Sequence, residues 1–176
     1  MKKKQRVDMG IALCLILIGV VLLVLPLLDL NIKCQWLFTV VFTLYTILNG
    51  IQFLLTRESR DYEGLHTSLA SLVVLVINVI FDVGDKPKYI ALLLMLWVTL
   101  MSVVKLKKAD YYHDRRDRMW KVRMFNLGLF ILTGILASIN LSYSSDVQII
   151  VIGYFMMIHG ILELFDPITK SLIAHS

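Results

Sequence analysis

The chain has 176 residues, 58% of them hydrophobic, with a mean hydropathy of +0.76 and a formal net charge of +5 at pH 7. An average soluble domain is roughly 45–50% apolar, so a soluble helical fold of this composition would lack the polar surface to cover itself. The longest stretch outside an apolar run, 105–123, is too short for an independent folded domain, which confines any activity to the bilayer or its surface.

Six uncharged apolar runs, 9–28, 34–56, 64–81, 89–104, 124–145 and 147–162, approach or reach the roughly 17 to 25 residues that a spanning helix needs. None shows the alternating pattern of a barrel strand, and lipid admits only helices and closed barrels. The expected fold is therefore all-α: one polytopic membrane domain over 1–176 with six transmembrane helices.

The first run follows Met1-Lys2-Lys3-Lys4-Gln5-Arg6, a start that imitates a secretory signal. The run is longer than a signal h-region of roughly 7 to 15 residues, carries no A-x-A site and ends at Pro26, so it reads as an uncleaved first helix. Cys14 lies near its start and Cys34 just past its far end, about 30 Å along a helix, too far for a disulfide. In the second run Tyr45, Asn49 and Gln52 share one face, Gly50 marks a close contact and Val41 is expected to face lipid.

The third run carries Ser68, Ser71, Leu75 and Asn78 along one stripe, and the fourth carries Trp97 and Ser102. No Gly or Pro interrupts 88–127, which predicts that helices 4 and 5 project past the bilayer before turning. Asp114 with Arg118 and Asp117 with Lys121 fall at i,i+4 spacing there. Beside Tyr111, Tyr112 and Trp120, the basic residues Arg115, Arg116, Arg118 and Lys121 are candidate contacts to anionic lipid; plain topological charge is the alternative. The fifth run repeats Asn126, Phe130, Thr133, Ala137 and Asn140, and Gly134 with Ser138 forms a small-xxx-small pair suited to close helix approach.

The sixth run holds His159 and Glu163 four residues apart on one face, beside Gly160. An ionisable group inside a membrane is a functional candidate by default, and this spacing fits a proton relay or two metal ligands. A metal site would need two further ligands, and His66 is the only other histidine near that depth, so the expectation is helix packing with no metal or cofactor. Asn49, Gln52, Asn126, His159 and Glu163 all fall toward one end of their helices and could line a polar vestibule. Interhelical hydrogen bonding is the structural alternative.

Lysine and arginine fall fifteen to three in favour of the side that holds both termini, which by the positive-inside rule places both in the cytoplasm. The chain also reads as three tandem helical hairpins, about 7–56, 64–108 and 119–166, with Gly50, Ser102 and Gly160 in one register and Tyr45, Trp97 and Phe155 five residues upstream. Two spans per unit imply parallel repeats about an axis along the membrane normal.

Gly50 and Gly160 in even helices, Gly19 followed by Pro26 in helix 1, and Gly128 and Gly134 in helix 5, with basic stretches before the odd helices, resemble the HdeD-like family of bacterial short-repeat membrane proteins. The resemblance runs from about Val7 to Phe165, although Ser102 replaces the glycine of helix 4 and only helix 1 keeps its proline. It implies a non-enzymatic role in envelope or acid stress, or in membrane organisation, in the bacterial cytoplasmic membrane. A protein partner or homo-oligomer fits that role. No Walker loop, GxSxG elbow or HExxH motif is present, and no folded basic surface is available for nucleic acid. The alternative is a small transporter or channel that uses the vestibule.

Overall fold

The computed structural model of the chain describes residues 3–28, 33–57, 62–81, 87–141 and 145–173. It contains six helices, α1 (Lys3–Val24), α2 (Cys34–Thr56), α3 (Glu63–Ile80), α4 (Pro87–Asp114), α5 (Met119–Asn140) and α6 (Ser145–Ile173). No strand occurs among the described residues, and all six helices are long and apolar enough to cross a membrane. Pro26 lacks an N–H, and α1 gives way there to a 3-10 turn over Leu25–Leu28. Leu17, Leu54, Ile80, Leu92 and Phe125 project outward, an apolar shell that suits lipid and not water.

Four helices outrun the uncharged stretches that announce them. α1 begins at Lys3, α4 continues to Asp114, α5 begins at Met119 and α6 continues through Pro167 to Ile173. Charge marks where hydrocarbon stops, not where a helix stops. At 1.5 Å per residue the 28 residues of α4 reach about 42 Å, against about 30 Å of bilayer hydrocarbon. The excess lies at the end of the bundle that carries the N-terminus of α1 and the C-terminus of α6.

The α4–α5 turn closes without glycine. The Arg116 N–H donates to the His113 carbonyl and the Asp117 N–H to the Tyr112 carbonyl, the paired bonds of a Schellman cap, and Arg116 takes the left-handed position at φ 53°. The turn separates Asp114 from Arg118, so these two do not share a helix face as the i,i+4 spacing predicts. Asp117 instead accepts the Met119 N–H at 3.0 Å.

Each helix packs against its sequence neighbours, and α6 returns to α1 and also touches α2, which closes a ring. The contacts alternate: α6–α1, α2–α3 and α4–α5 are extensive, whereas α1–α2 and α3–α4 are looser. Each close seam has a glycine on its odd-numbered helix. A Cβ on Gly19 would lie 2.6 Å from the Met157 nitrogen, one on Gly64 2.8 Å from the Asn49 carbonyl, and one on Gly134 2.6 Å from Val98 Cγ2. One core fills the ring, with Leu15, Phe38, Val74, Trp97, Phe130 and Phe155 from the six helices in turn. Val41 belongs to it, at 3% exposure, and does not face lipid: it lies one turn from Phe38 and Tyr45 on the buried stripe of α2.

Candidate functional site: a buried charge cluster above an aromatic plug

Trp97 of α4 is fully buried, and its indole is edge-on to Phe42 and Tyr45 of α2 and to Phe155 and His159 of α6, with ring centroids 5.2–5.7 Å apart. Phe130 of α5 packs on it at 5.7 Å, and its Nε1–H donates to Ser71 Oγ of α3 at 2.9 Å. One side chain thus meets four other helices and satisfies its only polar atom. The hydroxyl of Tyr45 and Nε2 of His159 are hydrogen-bonded at 3.0 Å across α2 and α6, and Nδ1 of His159 is buried with no partner among the described residues.

Above this plug, toward the termini, every helix contributes a charged or polar group. Lys105 of α4 pairs with Glu163 of α6 and also lies 5.1 Å from the Phe130 ring. Lys108 pairs with Glu63 of α3. Arg123 of α5, only 7% exposed, reaches Asp166 of α6 at 2.6 Å and Glu63 at 3.9 Å, and lies over the Tyr112 ring. Lys4 of α1 stands 3.6 Å from Asp8 and 3.9 Å from Glu63, while Gln52 of α2 donates to Asp8 at 2.7 Å. Four cations face four carboxylates, so the cluster is neutral. Arg123 is buried and the other seven are partly buried, and charges so placed persist when paired.

Two cavities flank the Lys105–Glu163 pair. The larger, about 30 Å³, is lined in part by Tyr45, Asn49, Gln52 and Glu163; the smaller, about 20 Å³, by Asn126, Arg123, Glu163 and Asp166. A water needs about 10–15 Å³ measured in this way, so each holds a water or two and no larger solute. Arg123 Nε and Asp166 Oδ1, both without a partner among the described residues, belong to residues that line the smaller one.

Of the five residues expected to form a vestibule, Asn49, Gln52, Asn126 and Glu163 line these two cavities and His159 lies one turn deeper in the plug, so they form no single open chamber. Asn49 donates to the Tyr45 carbonyl and Asn126 to the Leu162 carbonyl. His159 turns toward Tyr45 and Glu163 toward Lys105, so the i,i+4 pair serves two different partners. No group of three or more metal-ligating side chains occurs among the described residues.

The packing residues divide. Gly160 is pressed against α1, where a Cβ would meet the Ala12 carbonyl at 2.8 Å, whereas Gly50 has only Ser68 Oγ at 3.8 Å. Gly50, expected at a close contact, is therefore corrected to an ordinary one: register in the sequence does not fix which helix lies opposite. Ser102 bonds its own helix at the Val98 carbonyl, and Gly134 abuts Val98. Arg115, Arg116, Arg118 and Lys121 are exposed, with Arg115 over the Tyr111 ring at 4.2 Å.

Sequence reasoning counted Lys105, Lys108 and Arg123 as topological charge and passed over Asp8, Glu63 and Asp166. The matching i,i+3 spacing of Lys105 and Lys108 on α4 and Glu163 and Asp166 on α6 points to only one of the pairs, Lys105–Glu163; Lys108 goes to Glu63 and Asp166 to Arg123. No family model, curated protein or solved structure matches the chain.

Proposed function

We propose that the chain is a non-enzymatic membrane protein of the bacterial cytoplasmic membrane, with both termini inside, that serves envelope or acid-stress resistance or membrane organisation. The observation that carries the non-transport reading is the filled axis. Trp97, Phe130, Phe155 and His159 occupy the centre of the ring, and a neutral charge cluster caps it. A transporter needs a hydrated path to mid-membrane; here the two cavities beside the Lys105–Glu163 pair are water-sized. The stress role draws on the HdeD-like resemblance, and the alternation of close and loose helix contacts supports three two-helix units about a common axis. Arg115, Arg116, Arg118 and Lys121 fit a cytoplasmic, anionic lipid surface in this orientation.

Reconstitution decides between this reading and the transporter. Proteoliposomes loaded with a pH dye should leak protons no faster than empty ones. The Lys105→Gln/Glu163→Gln double variant removes both charges of the pair together, and it should behave like the parent. Proton flux in the parent that this folded double variant abolishes would replace the structural reading with the transport one.

A further inference from the structure

The loose α3–α4 contact opens a groove of about 770 Å³ near the termini end, within the 300–1,000 Å³ usual for ligand sites. Its walls follow an antiparallel register. His66, Ala70 and Val73 descend α3 while Lys107, Val103 and Leu100 descend alongside on α4, and all six line the space. Seven residues of helix span about 10 Å, so the groove grades from cationic to wholly apolar over that depth. Leu69, Val73 and Val103 are about half exposed along it, which opens it sideways to lipid.

At the upper end Lys4 and Lys108 belong to the neutral cluster with Asp8 and Glu63, which leaves Lys107 and Lys170 as the surplus cations lining the groove. Tyr112 accepts a hydrogen bond from Lys170 at 2.6 Å, and Lys107 is exposed with no ion pair among the described residues. Net positive charge and tyrosine hydroxyls at one level, with aliphatic walls beneath, complement an amphiphile whose anion sits at the headgroup.

We propose that this groove binds one anionic phospholipid, its phosphate at Lys107 and Lys170 and an acyl chain along Val73, Leu100 and Val103. A protein helix laid in the groove would have to bring an acidic side chain to the level of Lys107, whereas a phospholipid supplies the anion there by its construction. The site is distinct from the exposed basic turn at Arg115 to Arg118, and it stands or falls independently of the function proposed above.

The test uses the full chain in mild detergent with phosphatidylglycerol or phosphatidylcholine added, read by native mass spectrometry. One phosphatidylglycerol should be retained in preference to phosphatidylcholine. Lys107→Gln should weaken that retention about fivefold, the effect of one basic residue near a charged surface, and Val103→Trp should weaken it by filling the acyl path. A nitroxide on Val103→Cys should be broadened by chain-labelled phosphatidylglycerol, a readout that serves even if the tryptophan variant does not fold. Three outcomes overturn the site: both folded variants retaining the lipid like the parent, loss of retention only on neutralising Arg115, Arg116 and Arg118, or broadening at position 103 from a second copy of the chain without lipid.

Discussion

The α1–α6 seam and the α3–α4 contact belong to one ring, yet the first closes to backbone contact and the second parts into a groove. The difference lies in side-chain size at the crossing. Gly153 and Gly160 of α6 meet Gly19 and Ala12 of α1, and a Cβ on any of the three glycines would come within 3.0 Å of the partner helix. Leu69, Val73, Leu100 and Val103 flank the other contact. Because lipid tails are as apolar as leucine, burying leucine against leucine adds little between membrane helices, and close approach needs small residues. Where these are missing, lipid competes with the neighbouring helix on equal terms.

Beside the α1–α6 seam an ion pair ties α6 to α5 at the polar end, and cutting it should have the largest effect. Arg123→Ala strands Asp166 in a nearly buried site, and losing one partner of such a pair costs about 3–5 kcal/mol. Denaturant unfolding in detergent measures it, and Asp166→Ala added to Arg123→Ala should recover part of the loss in a double-mutant cycle. A cost under about 1 kcal/mol would mean that the charges are solvated and the tie is nominal.

Gly160→Ala tests the seam itself and should cost about 1–3 kcal/mol as an overpacked contact. Gly50→Ala, with room for the added carbon, should be neutral or stabilise by up to about 1 kcal/mol through helix propensity. Equal melting shifts for the two would erase the distinction between tight and open glycine sites. Smaller still, Arg116→Gly relieves a left-handed arginine at the α4–α5 turn and should gain about 1 kcal/mol. A loss there would show that the guanidinium contributes more than the backbone strain costs.

The six helices were legible because a span must be apolar along its whole length, a property that local composition records. The extensions of α4 and α5 were legible too, in the lack of Gly and Pro over 88–127, whereas those of α1 and α6 were not, nor was the inward turn of Lys105 and Lys108 toward Glu163 and Glu63. Asn49, Gln52, Asn126 and Glu163 line the two water-sized cavities, whereas His159 lies one turn deeper, in the aromatic plug. Their partners were not legible, because the choice of Tyr45 for His159 and Lys105 for Glu163 depends on the rotation of each helix about its own axis. Gly50 and Gly160 make the same point: equal register met unequal neighbours.

The tightest joint in the ring links the first described helix to the last, and that has a cost in time. Gly19 finds Gly153 only after roughly 130 further residues have been synthesised, which at about 5–20 residues per second takes about 7 to 27 seconds. Throughout that interval the small-residue face of α1 has no α6 to close on, while α2–α3 and α4–α5 can form as each hairpin emerges. Assembly therefore ends where the chain began, and a nascent chain halted before α6 leaves the inserting membrane with an open ring.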